Sequence, residues 1–283
     1  MSKGAILIAR NNGNIDYVKQ SVFLAKRIQH YLEIPVSIIT DSEEYLKLNF
    51  DYTVFDQIIS IPYNETANTR AYNDGTLFYK TADFKNDIRH EVYNLTPYNE
   101  TLLLDTDYII ANDLLSSCFN SNNDLMLFKS SEDVAKVRNE KEFDYVSDYS
   151  IEFYWATVVF FRKTQENEIF FDLVSHVYEN WKHYIRIYQI DSPLFRNDFA
   201  FSIAIHIMNG FQKGNFAQPL PGKHLYTTDR DILWNLKDDK MLFLVEKKNY
   251  LGEYTAIKTI GQNIHVMNKF SLEREIDRVF SNE

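Results

Sequence analysis

Short, continuous apolar runs recur along this chain, each followed by a polar turn and then by a longer segment of helical period. Gly4 to Ala9 is the first run, and Arg10-Asn11-Asn12-Gly13-Asn14 behind it is a loop rich in turn formers. Asp16 stands where a helix N-cap belongs. Val18, Val22, Ala25 and Leu32, with Leu24 and Ile28 beside them, then recur at helical spacing up to Glu33. Pro35 ends that helix. Val36 to Asp41 reads as a second strand closing on a carboxylate, and Ile58 to Ile61, stopped by Pro62, as a third. The stretch from Gly75 to Leu95 reads as a second helix, and Leu102-Leu103-Leu104-Asp105-Thr106-Asp107-Tyr108-Ile109-Ile110 as the next strand.

Farther on the pattern loosens. Leu125 to Phe128 and Ile151 to Arg162 read as strands, Ile169 to Ile190 as one helix or two, and Asp198 to Met208 as a buried helix opened by Asp198. Short strands are expected at Met241 to Val245 and Thr255 to Ile260. Ile264-His265-Val266-Met267-Asn268-Lys269 and a charged terminal helix follow. Strand–helix–strand alternation in the first 110 residues implies an α/β fold with a parallel sheet and right-handed crossovers. Ligands of such sheets bind beyond the carboxyl ends of the strands, and Arg10, Asn11, Asp41, Asp105 and Asp107 all fall at that edge.

The Asp-Thr-Asp run carries the most chemistry. In a strand, side chains two apart share a face, so Asp105 and Asp107 are expected to point the same way. Two ionised carboxylates are costly within so apolar a run. They become tolerable where the strand ends and a cation sits between them. Hard divalent ions, Mg²⁺ or Mn²⁺, favour such oxygens, above all when substrate phosphates complete the shell. The plainer alternative is an exposed strand end with an Asx-type turn.

Composition narrows the class. With 283 residues, 21 Phe, 19 Tyr and 3 Trp but only 8 Gly and 6 Pro, the chain can bury a large core and shows no disordered tail. One cysteine, Cys118, excludes an internal disulfide framework and a cysteine-based zinc site, and fits a reducing compartment. Met1-Ser2-Lys3-Gly4 runs straight into the first strand with no signal peptide, and no apolar stretch approaches the roughly 20 residues that span a bilayer. The expectation is a soluble, cytoplasmic protein. A net charge of −10 disfavours a general affinity for nucleic acid while leaving room for a local basic groove.

With these residues in view, the chain resembles the GT-A fold, metal-dependent (DxD) glycosyltransferases, closest to family 8 and its glycogenin-like members. The phrase that carries the resemblance is Leu95-Thr96-Pro97-Tyr98-Asn99-Glu100-Thr101-Leu102-Leu103-Leu104-Asp105-Thr106-Asp107. Trp155 to Arg162 is similar to a further strand of that group, with Ala156 and Thr157 replacing its usual small and amide residues, and Asn197-Asp198-Phe199-Ala200-Phe201 is similar to the acceptor-side helix start. The resemblance implies one large α/β domain over residues 1–283, a mixed sheet flanked by helices. Residues 1–115 would be the nucleotide-sugar-binding half, and residues 116–283 the acceptor half with a late metal and diphosphate segment. It implies Mn²⁺ or Mg²⁺ held by Asp105, Asp107 and His265, and a nucleotide-sugar donor, most simply a UDP-sugar. Arg10, Asp41, Lys80 and Lys269 would face that donor, and Asp198 the acceptor hydroxyl, as orienting group or base. Taken alone, His265 in an apolar run is a core histidine, Lys269 a solvated lysine, Arg10 a surface arginine and Asp198 a helix N-cap.

The acceptor is less legible. Trp181-Lys182-His183-Tyr184-Ile185-Arg186-Ile187-Tyr188 interleaves bases and aromatics, as a nucleic-acid surface or an amphipathic helix would. Residue usage and the Arg196–Ala204 run are similar to phage-encoded predicted glycosyltransferases, which implies hydroxymethylated bases of phage DNA as acceptor, in a host cytoplasm. Lys182, Arg186 and Arg196 would then contact phosphates. A surface glycan or a small molecule is the alternative acceptor. A nucleotide-sugar-binding protein without catalysis is the alternative of another class. A nucleotidyltransferase would usually need a glycine-rich phosphate loop after the first strand, where this chain has only Gly13.

Overall fold

The computed structural model describes residues 2–281 apart from positions 67, 86, 137, 139–143, 148 and 149. Its centre is a seven-stranded mixed sheet in the order Gln218–Pro219, Leu125–Phe128, Trp155–Arg162, Glu100–Leu104, Lys3–Ala9, Val36–Thr40, Gln57–Ser60. The last four of these run parallel, as the alternating pattern requires, with Leu7 level with both Ile38 and Leu104. Trp155–Arg162 enters antiparallel to Glu100–Leu104 and makes the sheet mixed. The strands beside the first are buried on both faces: Leu102, Leu103 and Leu104 are inaccessible, as are all residues of Val36–Thr40. A continuous apolar run is what such a position selects.

Helices flank this sheet. Tyr17–Leu32 packs on the first two strands, its N-terminus capped as expected by Asp16, which accepts from the Lys19 amide at 2.9 Å. Gln165–Glu179 packs on Asn197–Met208, which lies on Trp155–Arg162. A second core joins the antiparallel sheet Ile232–Lys237, Lys240–Lys247, Tyr250–Ile260 to the terminal helix Lys269–Phe280. Between the two cores runs a small sheet of Tyr108–Ile109, Ile264–His265, His224–Tyr226 and Ser131–Asp133. No helix among the described residues is long and apolar enough to cross a membrane.

Three expectations are corrected. Gly75 to Leu95 is not a helix: Thr69–Asn73 and Tyr79–Asp83 form a hairpin, and helix is confined to Val92–Leu95 after a 3-10 turn at Arg89–Glu91. The Asp74 amide closes the hairpin turn on Phe78 at 2.8 Å, and Gly75 supplies the positive φ of +75° that turn needs. Tyr72 and Ala82 are the buried positions of the two strands while most of their neighbours are exposed, so the hairpin carries too few apolar residues to show a strand pattern. Second, the Asp-Thr-Asp strand stops at Leu104. Asp105 to Asp107 form a turn closed by the Tyr108 amide on the Asp105 carbonyl at 3.1 Å, so strand alternation is not what brings the carboxylates together. Third, Asp198 is no N-cap: the helix is Asn197–Met208, capped at Arg196 without a side-chain bond, and Asp198 sits in its first turn.

Gly4 marks the closest approach inside the sheet. A Cβ there would run into the Tyr98 ring, whose hydroxyl is held by Ser37 at 2.7 Å and Asp56 at 3.1 Å and cannot swing aside. Gly4→Ala is expected to cost about 1–3 kcal/mol by overpacking, read as a lower urea midpoint at unchanged slope; an unchanged midpoint would show that the Tyr98 ring yields.

Candidate active site

The C-terminal ends of the parallel strands open into a cleft of about 750 Å³. Asp105 and Asp107 reach it from the turn after Glu100–Leu104, and His265 from Ile264–His265 of the small sheet. Antiparallel pairing sets His265 level with Tyr108, and the Val266 amide donates to the Asp107 carbonyl at 2.9 Å. One potential ligand atom from each of Asp105, Asp107 and His265 lies within 4.8 Å of the others. His265 Nε2 stands 3.1 Å from an Asp107 oxygen, which fixes Nε2 as the nitrogen turned toward the carboxylates.

Each aspartate has a cation of its own. Arg89 pairs with Asp105 and also donates to the Thr157 carbonyl at 3.3 Å; Lys269, at the start of the terminal helix, pairs with Asp107. Burial pushes the Asp107 carboxyl up, but Lys269 and then His265 more than reverse this and hold it far below the usual carboxylate range. For Asp105 burial prevails: its carboxyl is raised, Arg89 opposing and the neighbouring Asp107 adding to the rise. Asp105 nonetheless keeps a third of its side chain accessible, so this is the desolvation of a cleft floor rather than of a core.

Under His265 lies His224, which is fully buried. Its ring is 4.3 Å from that of Trp155 and 5.3 Å from that of His265 between centroids, and neither of its nitrogens has a hydrogen-bond partner among the described residues. Burial pushes it well below the ordinary imidazole value, so it is a neutral packing block beneath His265.

The donor-side expectations divide. Arg10 lines the cleft, buried, and donates to Asp41 at 3.2 Å and to Asp87. Asp41 sits just past Val36–Thr40, where the second strand was expected to end in a carboxylate. It is buried against Arg10 and Lys85 and lies behind the cleft wall. Lys80 is brought to none of this: it is exposed on the hairpin near the Phe78 and Phe270 rings and is absent from the lining. On the far wall Asp198 accepts from the Ala156 amide at 2.9 Å and from Arg196 at 2.8 Å. Ala156 and Thr157 thus serve the site through their backbones. Of the bases set against a DNA acceptor, Arg196 lines the cleft, whereas Lys182 and Arg186 are exposed on Trp181–Ile187 outside it.

Sequence reasoning missed Arg89 and Arg138. Arg89 lay in the stretch read as helix. Arg138 spans Asp133 and Asp231 with four bonds of 2.6–2.8 Å, and nothing in its local sequence announces partners 5 and 93 positions away.

No family model matches the chain, and no curated protein does. Among solved structures it is similar to an active-site mutant of LgtC (11% identity, TM-score 0.47, covering 76% of this chain and 72% of that one). It is also similar to the galactosyltransferase LgtC in complex with donor and acceptor sugar analogues (10% identity, TM-score 0.45, the same coverage). A third likeness is to the glycosyltransferase GlyE of Streptococcus pneumoniae (12% identity, TM-score 0.40, 78% of this chain and 45% of that one).

Proposed function

We propose that this protein is a metal-dependent glycosyltransferase that moves a sugar from a nucleotide-sugar donor, a UDP-sugar in this reading, to an acceptor hydroxyl. The observation that carries the proposal is the meeting of Asp105, Asp107 and His265 on the cleft floor, two of them 158 positions apart in sequence. Two carboxylates and one imidazole suit Mn²⁺ or Mg²⁺, and the close set of ligand atoms fits one ion. Such an ion supplies a Lewis acid at the diphosphate, where charge grows as the glycosidic bond breaks.

The chain's own groups do the rest. Lys269 adds a fixed positive charge beside Asp107, aimed at the same developing anion. Arg10, braced by Asp41 and Asp87, orients the donor end of the cleft. Asp198, held from two sides, presents its carboxylate to the acceptor hydroxyl. The acceptor oxygen bonds to the anomeric carbon and yields its proton to the Asp198 carboxylate, while the bond to the diphosphate breaks and the nucleoside diphosphate leaves with the electron pair. The placement of Lys182 and Arg186 away from the cleft favours a glycan or small-molecule acceptor over DNA.

The test is thermal melting with UDP-, GDP-, ADP- and CMP-sugars, with and without Mn²⁺. At a hundredfold excess over Kd a true donor adds about 2.7 kcal/mol of stability, a shift easily resolved, and it is expected only with the ion present. If no nucleotide sugar gives an ion-dependent shift, the proposal falls. A donor that binds but is neither hydrolysed nor transferred would favour the binding protein without catalysis.

A further inference from the structure

The cleft inverts the charge of the protein. A third of the chain's 30 lysines and arginines line it, against an eighth of its 40 aspartates and glutamates, in a chain of net charge −10. Most of these cations are committed. Arg10 and Lys85 hold Asp41, Arg89 and Lys269 hold the floor aspartates, Arg138 spans Asp133 and Asp231, and Arg196 holds Asp198.

Arg230, Lys247 and Lys248 are different. The pairing of Ile232 with Leu244 brings residue 230 to the same end of the antiparallel sheet as Lys247, where Lys240–Lys247 ends and Lys248 begins the turn. Arg230 and Lys247 are nearly half exposed. Arg230 reaches Glu246 only at 3.5 Å, Lys247 pairs with an exposed Glu253, and Lys248 has no ion-pair partner among the described residues. The Lys247–Glu253 pair is exposed on both sides and exchanges readily for a better anion, while Glu246, which is buried, also accepts from Thr76 and the Gly252 amide and does not depend on Arg230 alone. In the proposed reading the donor's diphosphate would be met by Lys269 and by an ion held at Asp105, Asp107 and His265, which leaves this trio surplus to it. Leu251, in the strand beyond the turn, lines the same cleft while 74% exposed, and offers an apolar contact for a sugar ring beside the cations.

We propose that Arg230, Lys247 and Lys248 form an anion subsite for the acceptor, whose phosphate or carboxylate they hold close to the hydroxyl that receives the sugar. This rests on the glycosyl-transfer reading of the same cleft. The experiment is calorimetry on protein saturated with UDP and Mn²⁺, titrated with glucose, glucose 6-phosphate and glucuronate. Either anionic sugar is expected to bind at least tenfold tighter than glucose, and which one does so separates phosphate from carboxylate. In R230Q/K248Q that preference is expected to fall below twofold while UDP affinity is unchanged. K248E alone, a single exposed change, should also lower it and guards against misfolding of the double variant. Equal binding of all three sugars, no binding of any, or a preference unmoved by the variants would overturn the subsite. So would a loss of UDP affinity in R230Q/K248Q, which would give these cations to the donor. If UDP does not bind the native protein, the donor reading fails on its own, and the three sugars are compared without it by the same criteria.

Discussion

Exchange of Asp107 for asparagine is expected to slow sugar transfer about a thousandfold, because a bound ion contributes several kcal/mol of charge stabilisation and each 1.4 kcal/mol is tenfold. Asparagine keeps the shape and loses the charge that would draw an ion between Asp105, Asp107 and His265. Steady-state kinetics over an Mn²⁺ titration, with excess EDTA as control, reads the effect. Full activity of the native protein in EDTA would end the metal mechanism. The variant also has a pH signature without metal. The Asp107 carboxyl is held below its unfolded value, so the stability it contributes is complete above the ordinary carboxylate pKa of about 4 and is lost as pH falls through the folded value. In the metal-free native protein the melting temperature should therefore decline below that pH more steeply than in Asp107→Asn.

The largest expected loss of stability comes from Arg138→Met. Its guanidinium is the shared counter-charge of Asp133 and Asp231, both buried, and Asp231 also accepts from the Thr228 and Glu246 amides at 2.8 and 3.0 Å. Methionine fills the volume but strands two buried carboxylates, at a cost of about 3–5 kcal/mol or a fall of roughly 10 °C in melting temperature. Lysine at this position should recover part of the loss, since it restores charge without the planar fork that serves two carboxylates at once. A melting temperature within a degree of the native protein would mean that water reaches both aspartates.

The sequence showed what depends on near neighbours. Continuous apolar runs identified the strands around Leu7, Ile38 and Leu103, and their ends located Arg10, Asp41 and Asp105. What it could not reveal depends on distant partners. Lys80 looked useful because it precedes the Asp-Thr-Asp run in the chain, but a hairpin turns it outward. Asp198 looked like a cap, but the Ala156 amide, 42 positions away, claims its carboxylate. His265 was singled out only by the resemblance of its segment, and it does meet Asp105 and Asp107; the means, a two-residue pairing with Tyr108–Ile109, is made only by the folded chain. Arg89 lies in a 3-10 turn, and its partner Asp105 is 16 positions farther along the chain.

That pairing binds site and fold into one equilibrium. The strand Ile264–His265 is tied to the turn of Asp105 to Asp107 by a short ladder and one amide bond to Asp107, while its other neighbour, His224–Tyr226, belongs to the same small sheet. A local opening there, far short of global unfolding, would part His265 from both aspartates at once. Anything that binds all three residues together must in turn hold that opening shut. Amide hydrogens of this small sheet are thus the natural reporters of how fully the site is loaded, whatever ligand fills it.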